Sequence, residues 1–316
     1  MRTAYLFPGQ GSQRVGMGVG LAANDASAAA LFGEASDVLG YDLLGLCRDG
    51  PAELLGQTLH AQPALYVTSC AAHAALARRA ASAPVAMAGH SVGEYAALAC
   101  AGAVSFAAGL RLVKRRAELM QEAAERSPGA MAAVLGLEAG VVRAACAEAR
   151  GVGVVGVANY NGPGQIVVSG EVAAVEAASE IAVRLGARRV VRLPVSGGFH
   201  SALMASAGDA LYPDLRDAGF REPATRVVMN VSAEYLRAAV DIAPQLTMQV
   251  SGSVLWEQSM RLLLADGVTR FVELGTGDVL TGLMKRIDRG ATAIAVGDAA
   301  SVDDAAAAPG EPGGPA

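Results

Sequence analysis

The sequence predicts an α/β protein built from a large domain interrupted by a small ferredoxin-like module. Three observations predict it. Residues 1 to about 125 alternate short apolar runs with Ala-rich, helix-like stretches. From Ala130 to Leu193 the order changes to strand, helix, strand, strand, helix, strand. After Pro194 the first rhythm resumes. With 316 residues the chain can bury a core large enough for one domain carrying an insertion.

The elements follow in order. Ala4-Tyr5-Leu6-Phe7 reads as a buried strand running into a Gly-rich turn, and Leu65 to Arg79 as a long helix. Pro84 to Ala88 is a second apolar strand, followed by a helix that Gly102 stops. Leu110 to Ala124 is an amphipathic helix, and Ser127-Pro128-Gly129 breaks the chain after it. The small module then has strands at Ala130–Leu135, Val152–Asn159, Gln165–Ser169 and Ala187–Leu193, with helices at Val141–Arg150 and Val172–Leu185. Strands over Arg226–Asn230 and Arg270–Leu274 return to the large domain. The expected boundaries are 1–126 and 197–298 for the large domain and 127–196 for the module. Residues 299–316, rich in Ala, Gly, Pro and acid, are expected to be a disordered tail.

Composition narrows the function. Hydrophobic residues make up 53% and aromatics only 4%, so the core is mainly Ala, Val and Leu. A net charge of −5 argues against a nucleic-acid partner. No apolar run approaches the ~20 residues that span a bilayer. The N-terminus lacks a signal-peptide pattern, so a cytoplasmic location is expected. Cys47, Cys70, Cys100 and Cys146 form no C-x-x-C pair, and the four histidines lack zinc-like spacing, so no metal is expected.

Gly89-His90-Ser91-Val92-Gly93 carries the chemistry. It is a G-x-S-x-G turn between a strand and a helix, the nucleophile elbow of α/β-hydrolase-like domains, which pushes a serine hydroxyl out of the sheet toward a helix N-terminus. Such a serine can form an acyl-enzyme. The same turn would also serve if Ser91 did no more than cap the helix. A serine nucleophile needs a base. His200, after Gly197-Gly198-Phe199, is the best candidate, although a lone His after two glycines also fits a simple turn. No acid between 91 and 200 is placed to complete a triad, which points to a Ser–His dyad. Phe7-Pro8-Gly9-Gln10-Gly11-Ser12-Gln13 frees backbone N–H groups that could form half of an oxyanion hole, with the Val92 N–H as the other half. It lacks the G-K-[ST] ending of a phosphate loop. In Lys114-Arg115-Arg116 two residues can face water while the third turns inward as a fork for a carboxylate.

These motifs, with Gln62-Pro63-Ala64-Leu65, Met120-Gln121, Asn159-Tyr160-Asn161, Gly198-Phe199-His200-Ser201, Gln249 and Val279-Leu280-Thr281-Gly282-Leu283, resemble the malonyl-CoA:acyl carrier protein transacylases from residue 3 to about 290. The stretches Leu39 to Cys47 and Gln57 to Tyr66 look most like the discrete trans-acting acyltransferases of polyketide synthases. The resemblance implies transfer of malonyl from malonyl-CoA, through Ser91, to the phosphopantetheine thiol of an acyl carrier protein. It implies His200 as base, the Gln10 and Val92 amides as oxyanion hole, and Arg116 on the malonyl carboxylate. It implies that the Gln249 carbonyl orients His200, that Asn161 and Gln62 line the substrate channel, and that Phe199 crowds an α-methyl group. Ser253 and Thr276 stand where the family often has proline. No bound cofactor and a monomer are expected. A housekeeping role in fatty acid synthesis, an acyl hydrolase and an inactive carrier-docking module remain alternatives.

Overall fold

The computed structural model describes residues 2–307. Its nine strands, in chain order, are β1 Thr3–Phe7, β2 Ala86–Gly89, β3 Gly129–Leu135, β4 Val155–Gly162, β5 Gln165–Glu171, β6 Arg189–Arg192, β7 Arg226–Val228, β8 Arg270–Leu274 and β9 Thr292–Val296. They form a five-stranded sheet of order β7-β2-β1-β8-β9 and a four-stranded sheet of order β4-β5-β3-β6. The chain divides into two compact units. Among the described residues, one comprises 2–114, 221–228 and 262–307, and the other 115–220 and 229–261.

In the first unit every strand pair is parallel. Parallel strands covered on both faces read as continuous apolar runs. That is the pattern of β1, β2 and β8, where all but the first residue of β1 and of β8 are buried. The helix Thr58–Ala77 is buried on nearly every side, as an all-round apolar helix must be. It starts seven residues before the expected Leu65 and carries Pro63 inside it. Apolar burial of Ala61, Ala64 and Leu65 around it offsets the hydrogen bond that the proline cannot donate.

In the second unit the sheet is antiparallel, and the order β4-β5-β3-β6 with two helices is the ferredoxin-like arrangement. The helix Ala139–Ala149 buries Val142, Ala145, Cys146 and Ala149, and the helix Val172–Arg184 buries Ala174, Val175, Ala178, Ile181 and Ala182. Both sets repeat at three and four residues, so each helix lays one apolar stripe on the sheet. This unit reaches well beyond the expected 127–196. Segments 197–204 and 251–254 belong with the sheet. A Cβ on Gly198 would lie 2.9 Å from the Gly170 carbonyl oxygen, and the Ser253 hydroxyl donates to the Val157 carbonyl at 2.6 Å. Val254 also bridges to Asn159.

The expected tail needs correction over its first half. Ala299–Ala307 is a helix that buries Val302 and Ala305. Its start is capped reciprocally. The Ser301 N–H donates to the Asp298 carboxylate at 2.9 Å, and the Asp298 N–H donates to the Ser301 hydroxyl at 3.1 Å. Arg270 Nη2 donates to the Ala305 carbonyl at 2.7 Å, and Arg79 pairs with Asp303. Two apolar anchors and two arginines suffice where composition alone suggested too little to bury. The rest of the expected tail, 308–316, lies outside the described residues.

Candidate active site

The first unit holds the elbow. β1 and β2 are neighbours in register, with Phe7 opposite Gly89, so the turns that follow them leave the same end of the sheet. The His90 N–H donates to the Phe7 carbonyl at 2.9 Å, which ties the two turns together. A Cβ on Gly9 would lie 2.6 Å from the His90 carbonyl oxygen. A Cβ on Gly89 would run into the Gly93 backbone, and one on Gly93 into the Phe7 carbonyl. Gly9, Gly89 and Gly93 are therefore required by close backbone approach, and Gly11 by its φ of 104.

Ser91 has φ 54, a left-handed conformation that costs a non-glycine residue about 1–3 kcal/mol. The helix Gly93–Cys100 starts at once, with Val92 at its N-cap. The first N–H groups of a helix have no intrahelical acceptor and carry partial positive charge. Val92 is buried. Gln10 sits in the turn after β1, its side-chain amide donating to Thr58 Oγ1 at 3.3 Å. Gln62, on the Thr58–Ala77 helix, is 1% exposed. His73, on the same helix, packs edge-on to Tyr5 with ring centres 6.0 Å apart, and burial pushes its pKa down to about 4.

The second unit holds the other candidates, and Gln249 joins them. Arg116, on the helix Phe106–Arg126, is 1% exposed, whereas Lys114 and Arg115 are half-buried. Arg115 pairs with Glu118 and Asp214. Arg116 Nη2 donates to Gln249 Oε1 at 2.9 Å. The backbone carbonyl of the same glutamine lies 2.9 Å from His200 Nδ1, and the Gly252 carbonyl lies 3.1 Å from it. A nitrogen facing two carbonyls carries a proton, so in the neutral imidazole the lone pair is on Nε2. One fully buried residue thus orients a guanidinium with its side chain and an imidazole with its main chain. The spacing of residues 116, 200 and 249 gives no hint of the side-chain contact or of Gly252.

His200, like Ser91, is left-handed, with φ 57. The Ser201 hydroxyl donates to the Gly198 carbonyl at 2.6 Å and closes the turn. Phe199 is buried, and a Cβ on Gly197 would lie 3.0 Å from its ring. Asn161 is buried on β4. No cluster of His, Cys, Asp or Glu among the described residues could hold a metal ion.

Residues 4–285 match the family described as acyl transferase domain. Malonyl CoA-acyl carrier protein transacylase of Escherichia coli K12 is 43% identical over 295 residues, 93% of this chain and 96% of that protein. The polyketide biosynthesis protein ThaF of Burkholderia thailandensis is 42% identical over 286 residues, 90% of this chain and 24% of that longer protein. An acyl carrier protein S-malonyltransferase from Vibrio cholerae superposes with a TM-score of 0.93 at 42% identity, covering 96% of this chain and all of that one. A malonyl-transacylase solved in complex with its type II PKS acyl-carrier protein gives 0.94 at 42% identity, over 97% and 99% of the two chains. A strained serine elbow beside a glycine turn, an oriented histidine and a buried arginine thus stand in a chain that belongs to the acyl transferase family, among the malonyl CoA-acyl carrier protein transacylases.

Proposed function

We propose that the protein transfers malonyl from malonyl-CoA to the phosphopantetheine thiol of an acyl carrier protein by a ping-pong reaction. Ser91 attacks the thioester carbonyl while His200 Nε2 takes its proton. The Gln10 and Val92 amides hold the oxyanion, and coenzyme A leaves as a thiol with the proton from His200. The carrier thiol then attacks the malonyl-serine ester, and Ser91 recovers its proton. The observation that carries this reading is the Gln249 bridge, which aligns one imidazole and one buried guanidinium from a single residue. A desolvated arginine favours an acyl group that ends in carboxylate and disfavours acetyl. Asn161 and Gln62 line the acyl channel, and Phe199 crowds a methyl group on the malonyl carbon, worth about 1–3 kcal/mol of discrimination. Malonyl-CoA is a substrate, with no bound cofactor, and the protein acts as a cytoplasmic monomer without nucleic-acid partners. Within the larger unit around the antiparallel sheet, residues 127–196 form the ferredoxin-like subdomain of this enzyme.

Intact-mass spectrometry after brief exposure to malonyl-, methylmalonyl- or acetyl-CoA tests the chemistry. A malonyl adduct is expected on the wild type and none on Ser91→Ala. Free CoA without an adduct would point to a hydrolase instead.

The carrier we propose belongs to a polyketide synthase loaded in trans, a reading supported by the similarity to ThaF. A housekeeping carrier of fatty acid synthesis is the alternative, equally consistent with the near full-length match to the Escherichia coli transacylase. Comparing kcat/KM on the two kinds of carrier decides between them. At least a tenfold preference for the polyketide carrier is expected, and the opposite preference would favour the housekeeping role.

A further inference from the structure

The unit with the antiparallel sheet contains a cavity beside His200 to which the transfer reading assigns no ligand. Its volume is about 410 Å³, and it lies between the helix Ala139–Ala149, strand β4 and segments 200–202 and 251–253, all within this unit. β4 is an edge strand, so the cavity opens at the side of the sheet. Arg143, Cys146 and Arg150 line the helix side. Their spacing of three and four residues places them on one face of the helix and its C-cap. The opposite wall is apolar, with Val155, Val157 and Tyr160.

The two arginines set this cavity apart. The other arginines of this unit that are recorded in ion pairs are Arg115, Arg184, Arg192, Arg216, Arg237 and Arg261, each with a carboxylate. Among the described residues Arg143 and Arg150 are in none of these pairs, and no carboxylate lines the cavity. Two arginines therefore line a concave, partly apolar space that no carboxylate side chain lines. Guanidinium forks match phosphoryl oxygens in bidentate geometry. A seven-residue separation puts the two about 10 Å apart along the helix axis. That span, the volume and the Tyr160 ring suit a ligand larger than a single ion.

We propose that this cavity binds a phosphoryl-bearing small molecule of nucleotide size, and that its occupancy acts on His200. The second half follows from the lining. His200 and Gly252 both border the cavity, and the Gly252 carbonyl accepts from His200 Nδ1 at 3.1 Å. A ligand that moves the 251–253 turn changes how the imidazole is held. The cavity uses residues of this unit alone, so binding there stands whether or not the transfer reading does.

The test uses the full chain, with adenosine 3′,5′-bisphosphate and inorganic phosphate as probes in calorimetric titration. The comparison is with the double variant Arg143→Gln/Arg150→Gln. Both residues are exposed, so thermal melting should be unchanged. One molecule of the bisphosphate is expected to bind the wild type, and at least tenfold more weakly the double variant. The His200 ring signal, identified by its loss in His200→Asn, should shift with the bisphosphate only in the wild type. Binding that persists in the double variant belongs elsewhere and overturns the site, as does no binding at all. Phosphate binding as tightly as the bisphosphate overturns the nucleotide-sized occupant. Binding without a His200 shift overturns the coupling.

Discussion

Gln249 is the residue on which the candidate site turns, because its two ends serve different partners. Gln249→Leu keeps the main-chain carbonyl on His200 and removes the side-chain oxygen from Arg116. Losing one buried hydrogen bond to a charged group costs about 1–3 kcal/mol. We expect a loss of stability in that range, together with a raised KM for malonyl-CoA, while the pH dependence of kcat stays close to wild type. A shifted pH profile would mean that the side chain also sets the state of His200. Arg116→Lys tests the fork itself. A lysine keeps the charge and loses the bidentate geometry, so kcat/KM for malonyl-CoA should fall by roughly a hundredfold, about 3 kcal/mol. An unchanged value would remove Arg116 from substrate binding. At this scale turn chemistry marks Ser91 and His200 as candidates in the sequence, and charge patterning allows one inward arginine among residues 114–116, where Arg116 is the buried one. It did not show the second contact of Gln249 or the Gly252 carbonyl, since both depend on where a distant loop folds back.

The elbow shows what an element demands of its sequence. A Cβ on Gly93 would strike the Phe7 carbonyl, and no flexible side chain can yield there. Gly93→Ala should therefore lose more than about 2 kcal/mol or fail to fold. Gly33, inside the helix Ala26–Leu39, has nothing within 4 Å of its added Cβ. Gly33→Ala should raise stability by about 0.5–1 kcal/mol through helix propensity. Chemical denaturation of both variants checks the contrast. A harmless Gly93→Ala would mean that the close packing of the two turns is not required. Elements with strong periodicity were legible in the sequence, among them Leu110–Ala124 and both helices of the ferredoxin-like module. β9 was not, since its Ala293 and Ala295 are poor strand formers and it exists by pairing with β8. The helix after Asp298 was missed for the same kind of reason, because its anchors Arg79 and Arg270 lie far away in sequence.

At the scale of the whole molecule, stability should depend on pH through His73. Its pKa when folded is about 4, pushed down by burial among Tyr5 and Phe7, against an ordinary value of 6.5. Above pH 6.5 neither the folded nor the unfolded chain holds a proton there, and stability is full. Between pH 6.5 and 4 the unfolded chain binds a proton that the folded chain rejects, so stability falls as pH drops. Below pH 4 both bind it and the loss levels off, at about 3 kcal/mol in total. Glu273 works in the opposite direction. Burial raises its pKa although the Leu280 and Thr281 N–H groups donate to it, so Glu273 favours the fold at low pH and this contribution fades as pH rises. Other carboxylates also contribute to acid unfolding, and a comparison with His73→Leu isolates the histidine. Unfolding free energies at pH 7.5, 6 and 5 should decline more steeply for the wild type than for the variant, with the gap widening below pH 6.5. Parallel profiles would show that His73 is hydrated or already protonated in the fold, and its place under β1 would then need another account.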